Sequence, residues 1–181
     1  MNFIFRLLLT FNATSLLVII FLVQKGYTLS DIFPGACFMS AVPNWVSYVA
    51  YILVPILLTW LSLYLSRFLG RDDFEEGQVI AISHANNSFL PSYLGYFFVA
   101  LSVGNFETLM FVYGLLFVFT FLSQALYFNP LFLLFNFEFY NITTRNGAEI
   151  FLISKRKYKL PSDVALESAY RINNYTFIEK V

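Results

Sequence analysis

The residues best equipped for chemistry are few in this chain and badly spaced for it. His84 is the one histidine and Cys37 the one cysteine. A metal centre built from His and Cys needs several such ligands and a haem held by two histidines needs a second one, so both are excluded. A lone cysteine also rules out an intramolecular disulfide. The sequence contains no nucleophile-base pair, paired intramembrane carboxylates, glycine-rich phosphate loop or zinc-protease motif. The expectation is a protein that is not an enzyme and uses no cofactor.

Two charge clusters remain. Asp72, Asp73, Glu75 and Glu76 lie together in "RDDFEE", and Lys155, Arg156, Lys157 and Lys159 lie together in "KRKYK". The acidic run reads as a solvated face or as the start of a helix, whose N-terminus favours acids. It also offers a partner for the basic cluster, within one chain or between protomers. The basic cluster suits anionic lipid and protein docking. Direct nucleic-acid contact is not expected, because the C-terminal segment carries seven Lys and Arg against five acids and no recognised binding motif.

The elements that must position these clusters are mostly apolar. Hydrophobic residues make up 59% of the 181 residues and charged ones only 12%, about half the charged share of a soluble domain. Four stretches have the apolar character of membrane spans: residues 4–23, 45–69, 88–103 and 108–135. Residues 1–26 resemble a secretory signal only superficially, since no small-residue cleavage site follows, and they read as an uncleaved first helix. "GNFE" at 104–107 forces the third and fourth spans into an antiparallel hairpin. With both termini on one side, that side holds Arg6, Arg67, Arg71 and seven cations of the C-terminal segment, and the other holds Lys25 alone. Lys and Arg resist translocation, so both termini are expected in the cytoplasm of a multi-pass inner-membrane protein. The outer loop 24–44 is apolar enough to lie at the membrane interface.

Within the spans the polar side chains are uncharged: Asn12, Thr14 and Ser15 in the first, Thr59 and Ser62 in the second, Ser123, Gln124 and Asn129 in the fourth. Interhelical hydrogen bonds within a bundle or oligomer are the expected use. A pore lined by Asn12, Thr14, Gln124 and Asn129 is the alternative. Asn129-Pro130 is expected to kink the fourth span, and Pro55 the second.

Residues 137–181 read differently. Asn146-Gly147, flanked by alternating apolar residues, predicts a β-hairpin. A two-residue turn there sets Ile142 opposite Phe151 and Tyr140 opposite Ile153, with these four on one face. "LPSDVALESAYRIN" (160–173) predicts a helix capped by Ser162 and "YTFIEKV" a third strand. The division expected is a four-helix transmembrane domain over 1–136 and a small cytoplasmic α+β subdomain, ββαβ, over 137–181. About 45 residues lie at the limit of independent stability, so the hairpin needs cover from the bundle, another copy or a partner. Tyr140, Ile142, Arg145, Phe151, Ile153, Lys155, Arg156 and Lys157 are the candidate docking residues.

Four short spans in a chain of this length, the exit "NFEFYNITTRNGAEIFLISKRK" and the terminal "RINNYTFIEK" resemble the KwaA family, the membrane subunits of the Kiwa anti-phage defence system. The resemblance covers nearly the whole chain. It implies an inner-membrane homo-oligomer, a tetramer, that senses phage attachment or envelope disturbance and works with a soluble DNA-binding effector, KwaB. It brings no catalytic residues. The resulting expectation is a non-enzymatic sensor and scaffold, with an oligomeric ion channel or holin-like pore as the alternative.

Overall fold

The computed structural model describes residues 2–35, 43–74, 78–87, 90–122, 129–164 and 166–179. Helix α1 runs Asn2–Gln24, α2 is the single turn Leu29–Ile32, and α3 runs Asn44–Leu65 with Pro55 inside it. Strands β1 (Arg71–Phe74) and β2 (Val79–His84) follow, then α4 (Leu90–Ser102), α5 (Phe106–Leu122) and the turn α6 (Leu131–Leu134). The C-terminal segment supplies β3 (Glu138–Thr144), β4 (Glu149–Ser154), β5 (Leu166–Arg171) and β6 (Thr176–Glu179).

α1 is the hub of the helices, with α3, α4 and α5 each packed against it. No glycine or proline interrupts it before Gly26. That residue takes a φ of +72°, and Tyr27 and Gly26 donate back to the Leu22 and Val23 carbonyls at 3.0 and 3.1 Å, closing the helix in a Schellman motif. Phe5 and Leu9 near its start pack with the sheet, whereas Leu17 and Phe21 pack with Val103 and Leu109 at the opposite end. α5 returns to the sheet end, where Arg6 Nη2 donates to the Phe121 carbonyl at 3.2 Å. The helices therefore alternate in direction, with Arg6, Arg67 and Arg71 at the sheet end and Lys25 at the other.

α3 is patterned inside out. Its buried face is Ser47, Tyr51, Pro55, Thr59 and Ser62, while Val49, Leu53, Leu57, Trp60 and Leu61 are exposed. Small or polar residues on the packed face let backbones approach closely, and the large apolar side chains are left facing outward. α1 and α3 are long and apolar enough to cross a membrane. α4 and α5 are equally apolar but have 13 and 17 residues, or about 20 and 26 Å of helix against roughly 30 Å of hydrocarbon. The fourth apolar stretch is not one helix to residue 135: residues 129–130 are non-helical and Pro130 caps the separate turn α6. A proline at a helix start loses nothing, because its missing N–H would be unbonded there anyway.

The sheet is mixed, in the order β1-β5-β6-β4-β3-β2, with β4 and β6 parallel and the other pairs antiparallel. The segment between α3 and α4, expected to be a polar loop or a helix start, instead forms both edge strands. A flat sheet of six strands would separate those edges by about 24 Å. The five residue steps from Phe74 to Val79 reach at most about 18 Å. The sheet must therefore curl, bringing its edges toward each other. Inside the curl sit Val79, Tyr140, Ile142, Leu152, Val164 and Phe177. On the outside Phe139, Phe151, Ile153 and Ile178 meet Phe5, Leu9 and Tyr93 of the helices.

Two expectations about the C-terminal segment are corrected. The predicted helix over 160–173 is a 3-10 turn, Pro161–Asp163, followed by β5. Ser162 is not its cap: it lies inside the turn, Leu160 holds the N-cap position, and Asp163 Oδ2 accepts from the Leu160 N–H at 3.1 Å. Strand partners on both sides, β1 and β6, then claim the backbone. The hairpin register also differs by one residue: Ile142 faces Ile150 and Tyr140 faces Leu152. A two-residue type I′ turn needs positive φ at both central residues. Here Gly147 alone has it, at +76°. The loop is Arg145-Asn146-Gly147, with the Thr144 N–H donating to the Ala148 carbonyl at 3.0 Å. Since a one-residue slip exchanges faces, Tyr140 and Ile142 point into the curl and Phe151 and Ile153 toward the helices.

Candidate functional site: a polar knot and a basic crossover

Three segments meet at one buried polar knot among the helices. Asn12 of α1, Thr59 of α3 and Asn129 are each at most 1% exposed. Thr59 Oγ1 lies 2.7 Å from the Pro55 carbonyl, 2.7 Å from the Asn12 amide and 3.1 Å from Asn129 Nδ2. The Asn12 amide is oriented with its nitrogen donating to the Pro55 carbonyl at 3.1 Å. Its oxygen then accepts from Asn129 Nδ2 at 2.8 Å, Thr59 Oγ1 at 2.7 Å and the Thr59 N–H at 3.2 Å. The Asn129 oxygen accepts from the Leu131 N–H at 3.0 Å, which starts α6. Asn12 and Asn129, singled out by their type, are thus brought together, and Thr59 joins them. Their polar atoms are spent on one another rather than turned toward a lumen. Ser123 and Gln124 lie outside the described residues.

The turn after this knot fixes the sheet to the helices. Asn136 takes a φ of +61°. Its N–H donates to the Leu133 carbonyl at 3.1 Å and the Phe137 N–H to the Phe132 carbonyl at 3.2 Å. The rings of Phe132 and Phe137 meet edge to face at 6.1 Å, completing a Schellman motif with its apolar contact. β3 leaves this joint directly, and Phe139 stacks on Phe151 at 5.7 Å beneath Phe132.

The basic cluster lies on the crossover from β4 toward β5, and its cations have separate fates. Arg156 Nε is 3.7 Å from Glu179, whose carboxylate also accepts from the Ser154 and Tyr158 hydroxyls. Lys157 Nζ is 3.4 Å from Glu138. Glu138 in turn accepts from the Tyr140 hydroxyl at 2.6 Å and lies 3.5 Å from His84 Nε2. The Tyr140 bond, with Lys157 and His84 adding to it, holds the Glu138 carboxyl below its ordinary range. Burial, then the Glu138 bond, pushes Tyr140 up to about 12. Tyr158 is raised by burial and by its bond to Glu179. Lys155 instead turns toward the helices, its Nζ 5.2 Å from the centre of the Phe137 ring.

Of the expected docking residues, Arg145, Lys155, Arg156 and Lys157 are exposed. Tyr140, Ile142, Phe151 and Ile153 are at most 3% exposed and form the chain's own core. The cover the hairpin needs comes from within: the helices on one side, and Tyr158, Val164 and β5 on the other. At the hairpin tip a depression of about 350 Å3 opens between Gln78, Arg145, Asn146 and Ile150. Acidic segment and C-terminal segment do pair, but through the strand ladder of Arg71 with Tyr170 and Asp72 with Ala169. Glu75 and Glu76 lie outside the described residues. Glu138, Tyr158 and Glu179 were not expected to matter. An acid at each end of the apolar hairpin and strand runs was the available signal. Among the described residues no group of three or more His, Cys, Asp or Glu could hold a metal ion.

An apolar helical base with a small mixed sheet built onto one end defines the class of this protein. A family model, anti-phage protein KwaA, matches residues 5–178, and the chain belongs to the KwaA family. Its role therefore lies in defence against phage. No curated protein and no solved structure matches the chain.

Proposed function

We propose that this protein is a non-enzymatic membrane sensor and scaffold of a bacterial anti-phage complex. It responds to phage attachment or envelope disturbance and docks a soluble DNA-binding effector, the KwaB subunit, on its cytoplasmic face. α1, α3, α4 and α5 all cross the inner membrane, with the two shorter helices drawing on polar neighbours or thinning the bilayer. Both termini are cytoplasmic, because the Lys and Arg collect at the sheet end. The protein assembles as a homo-oligomer, a tetramer, through the outward apolar faces.

The observation that carries this reading is the continuous core from helix to sheet. Phe5, Leu9 and Tyr93 share one buried cluster with Phe132, Phe139, Phe151 and Ile153, so a shift of the helices would disturb the packing beneath the sheet. Packed cores are bistable rather than compliant, which suits relay of a membrane event. The effector's contact falls on the exposed hairpin tip, Arg145 and Asn146, and on Lys157, where a positive surface suits a partner's acidic face.

The test is co-purification from phage-defended cells with an N-terminal tag, comparing the native chain with Arg145→Glu/Lys157→Glu. A stoichiometric soluble partner lost in the variant, with the oligomer intact, supports docking. Equal recovery of the partner refutes this docking face. Conductance of the purified oligomer in planar bilayers, abolished by Gln124→Leu, would favour the pore reading instead.

A further inference from the structure

Between the end of α3 and the start of the sheet lies a cavity of about 500 Å3, lined by Trp60, Tyr64, Arg67, Phe135, Phe137 and Lys155. Its chemistry is of two kinds. The floor is aromatic: Trp60 and Tyr64 stack at 6.2 Å with 18° between their planes, and they are 57% and 48% exposed. At its edge stand two cations, Arg67 with Cζ 5.2 Å from the centre of the Tyr64 ring and Lys155 with Nζ 5.2 Å from that of Phe137. Among the described residues no carboxylate lines the cavity. Among the described residues neither cation forms an ion pair, in contrast to Arg156 and Lys157.

The C-terminal end of α3 presents carbonyls and the negative end of the helix dipole, which favours the Arg67 cation but not an anion, so the attraction for an anion comes from the two side chains. Arg matches a phosphate bidentately, and Lys adds a point charge. The volume is that of a ligand pocket and far exceeds a bare phosphate ion. Tryptophan and tyrosine rings with cations beside them are the chemistry of the boundary between acyl chains and water.

We propose that this cavity binds an anionic glycerophospholipid of the cytoplasmic leaflet. Arg67 and Lys155 hold the phosphodiester, and the Trp60 and Tyr64 rings lie along the glycerol and upper acyl chains. Because Arg67 follows α3 and Lys155 follows β4, the bound lipid ties the helical base to the sheet. The proposal rests on the reading that α3 spans the membrane.

The chain has two tryptophans, so Trp45→Phe leaves Trp60 as the reporter in the full-length protein purified in mild detergent. Titration with brominated phosphatidylglycerol should quench Trp60 at lower concentration than brominated phosphatidylcholine. Arg67→Gln and Lys155→Gln should each weaken the phosphatidylglycerol response about fivefold, and Arg67→Lys should weaken it less. Unchanged quenching in the double Gln variant, or equal response to phosphatidylcholine, overturns the site. Displacement of the lipid by millimolar inorganic phosphate overturns lipid as the occupant and leaves a small-anion site. Carbonate washing of membranes separates the two readings. A chain washed free refutes the spanning reading, whereas a chain retained with unaltered lipid response refutes the cavity proposal alone.

Discussion

Replacing Asn12 by leucine keeps the number and branching of side-chain heavy atoms and removes the centre of the polar knot. In the native chain the Asn12 amide donates to the Pro55 carbonyl and accepts from Asn129 Nδ2, Thr59 Oγ1 and the Thr59 N–H. Interhelical hydrogen bonds in membrane proteins average about 0.6 kcal/mol each. Loss of the set should cost about 2 kcal/mol, reduced somewhat because Asn129 Nδ2 can still donate to Thr59 Oγ1, 3.1 Å away. Thr59→Val should cost less, about 1 kcal/mol, since it removes the Oγ1 bonds to Asn12 and Asn129 while Asn12 retains the Pro55 carbonyl, Asn129 and the N–H of residue 59. The double variant Asn12→Leu/Thr59→Val should be less destabilised than the sum, because both changes remove one shared bond. Equilibrium unfolding in mixed micelles, followed by tryptophan emission, measures all three. Asn12→Leu as stable as the native chain, or Thr59→Val more damaging than Asn12→Leu, would refute the assignment of Asn12 as the centre.

Leu152→Ala should cost about 2–5 kcal/mol, because Leu152 is fully buried inside the curled sheet; proteolysis of the sheet in otherwise intact membranes reads the loss. Asn136→Gly should be neutral or stabilising and Asn136→Val destabilising by about 1–2 kcal/mol, since Asn136 sits in the left-handed region; thermal midpoints compare them. Glu138 has its pKa lowered chiefly by the Tyr140 hydroxyl. Its contribution to stability is thus fully present above the ordinary carboxyl pKa and is lost as pH falls through the lowered one. The native chain should lose stability over that acid range more steeply than Glu138→Gln, and identical pH profiles for the two would contradict the assignment.

Much of the helical half was legible in the sequence, because apolar runs of this length leave few alternatives. Expected boundaries at 4–23, 45–69 and 88–103 fall close to α1, α3 and α4. What periodicity could not reveal was pairing across long separations. Residues 71–74 and 79–84 looked like loop, since a short polar strand such as RDDF has no sharp signature and the apolar VIAISH follows a polar run, and their partners lie about 60 to 100 residues away. Asn146-Gly147 correctly marked a hairpin, but its loop length decided the register, and that register divided the expected docking face between two cores. The knot residues were recognisable by type. That Asn12, Thr59 and Asn129 share one site follows only from packing. This also bears on experiment: removing residues 137–181 would uncover Phe5 and Leu9 and strip β1 and β2 of their partners, so single exposed substitutions are the cleaner probe.

The sheet end is proposed to face the cytoplasm and to hold a soluble partner. The most direct measurement places a photo-crosslinking amino acid at Arg145, and separately at Tyr27, in living cells carrying the complete defence system, and identifies the adducts by mass spectrometry. One soluble cytoplasmic protein should be captured from position 145, and envelope components alone from position 27. A cytoplasmic protein captured at position 27, or only periplasmic components at 145, would contradict it.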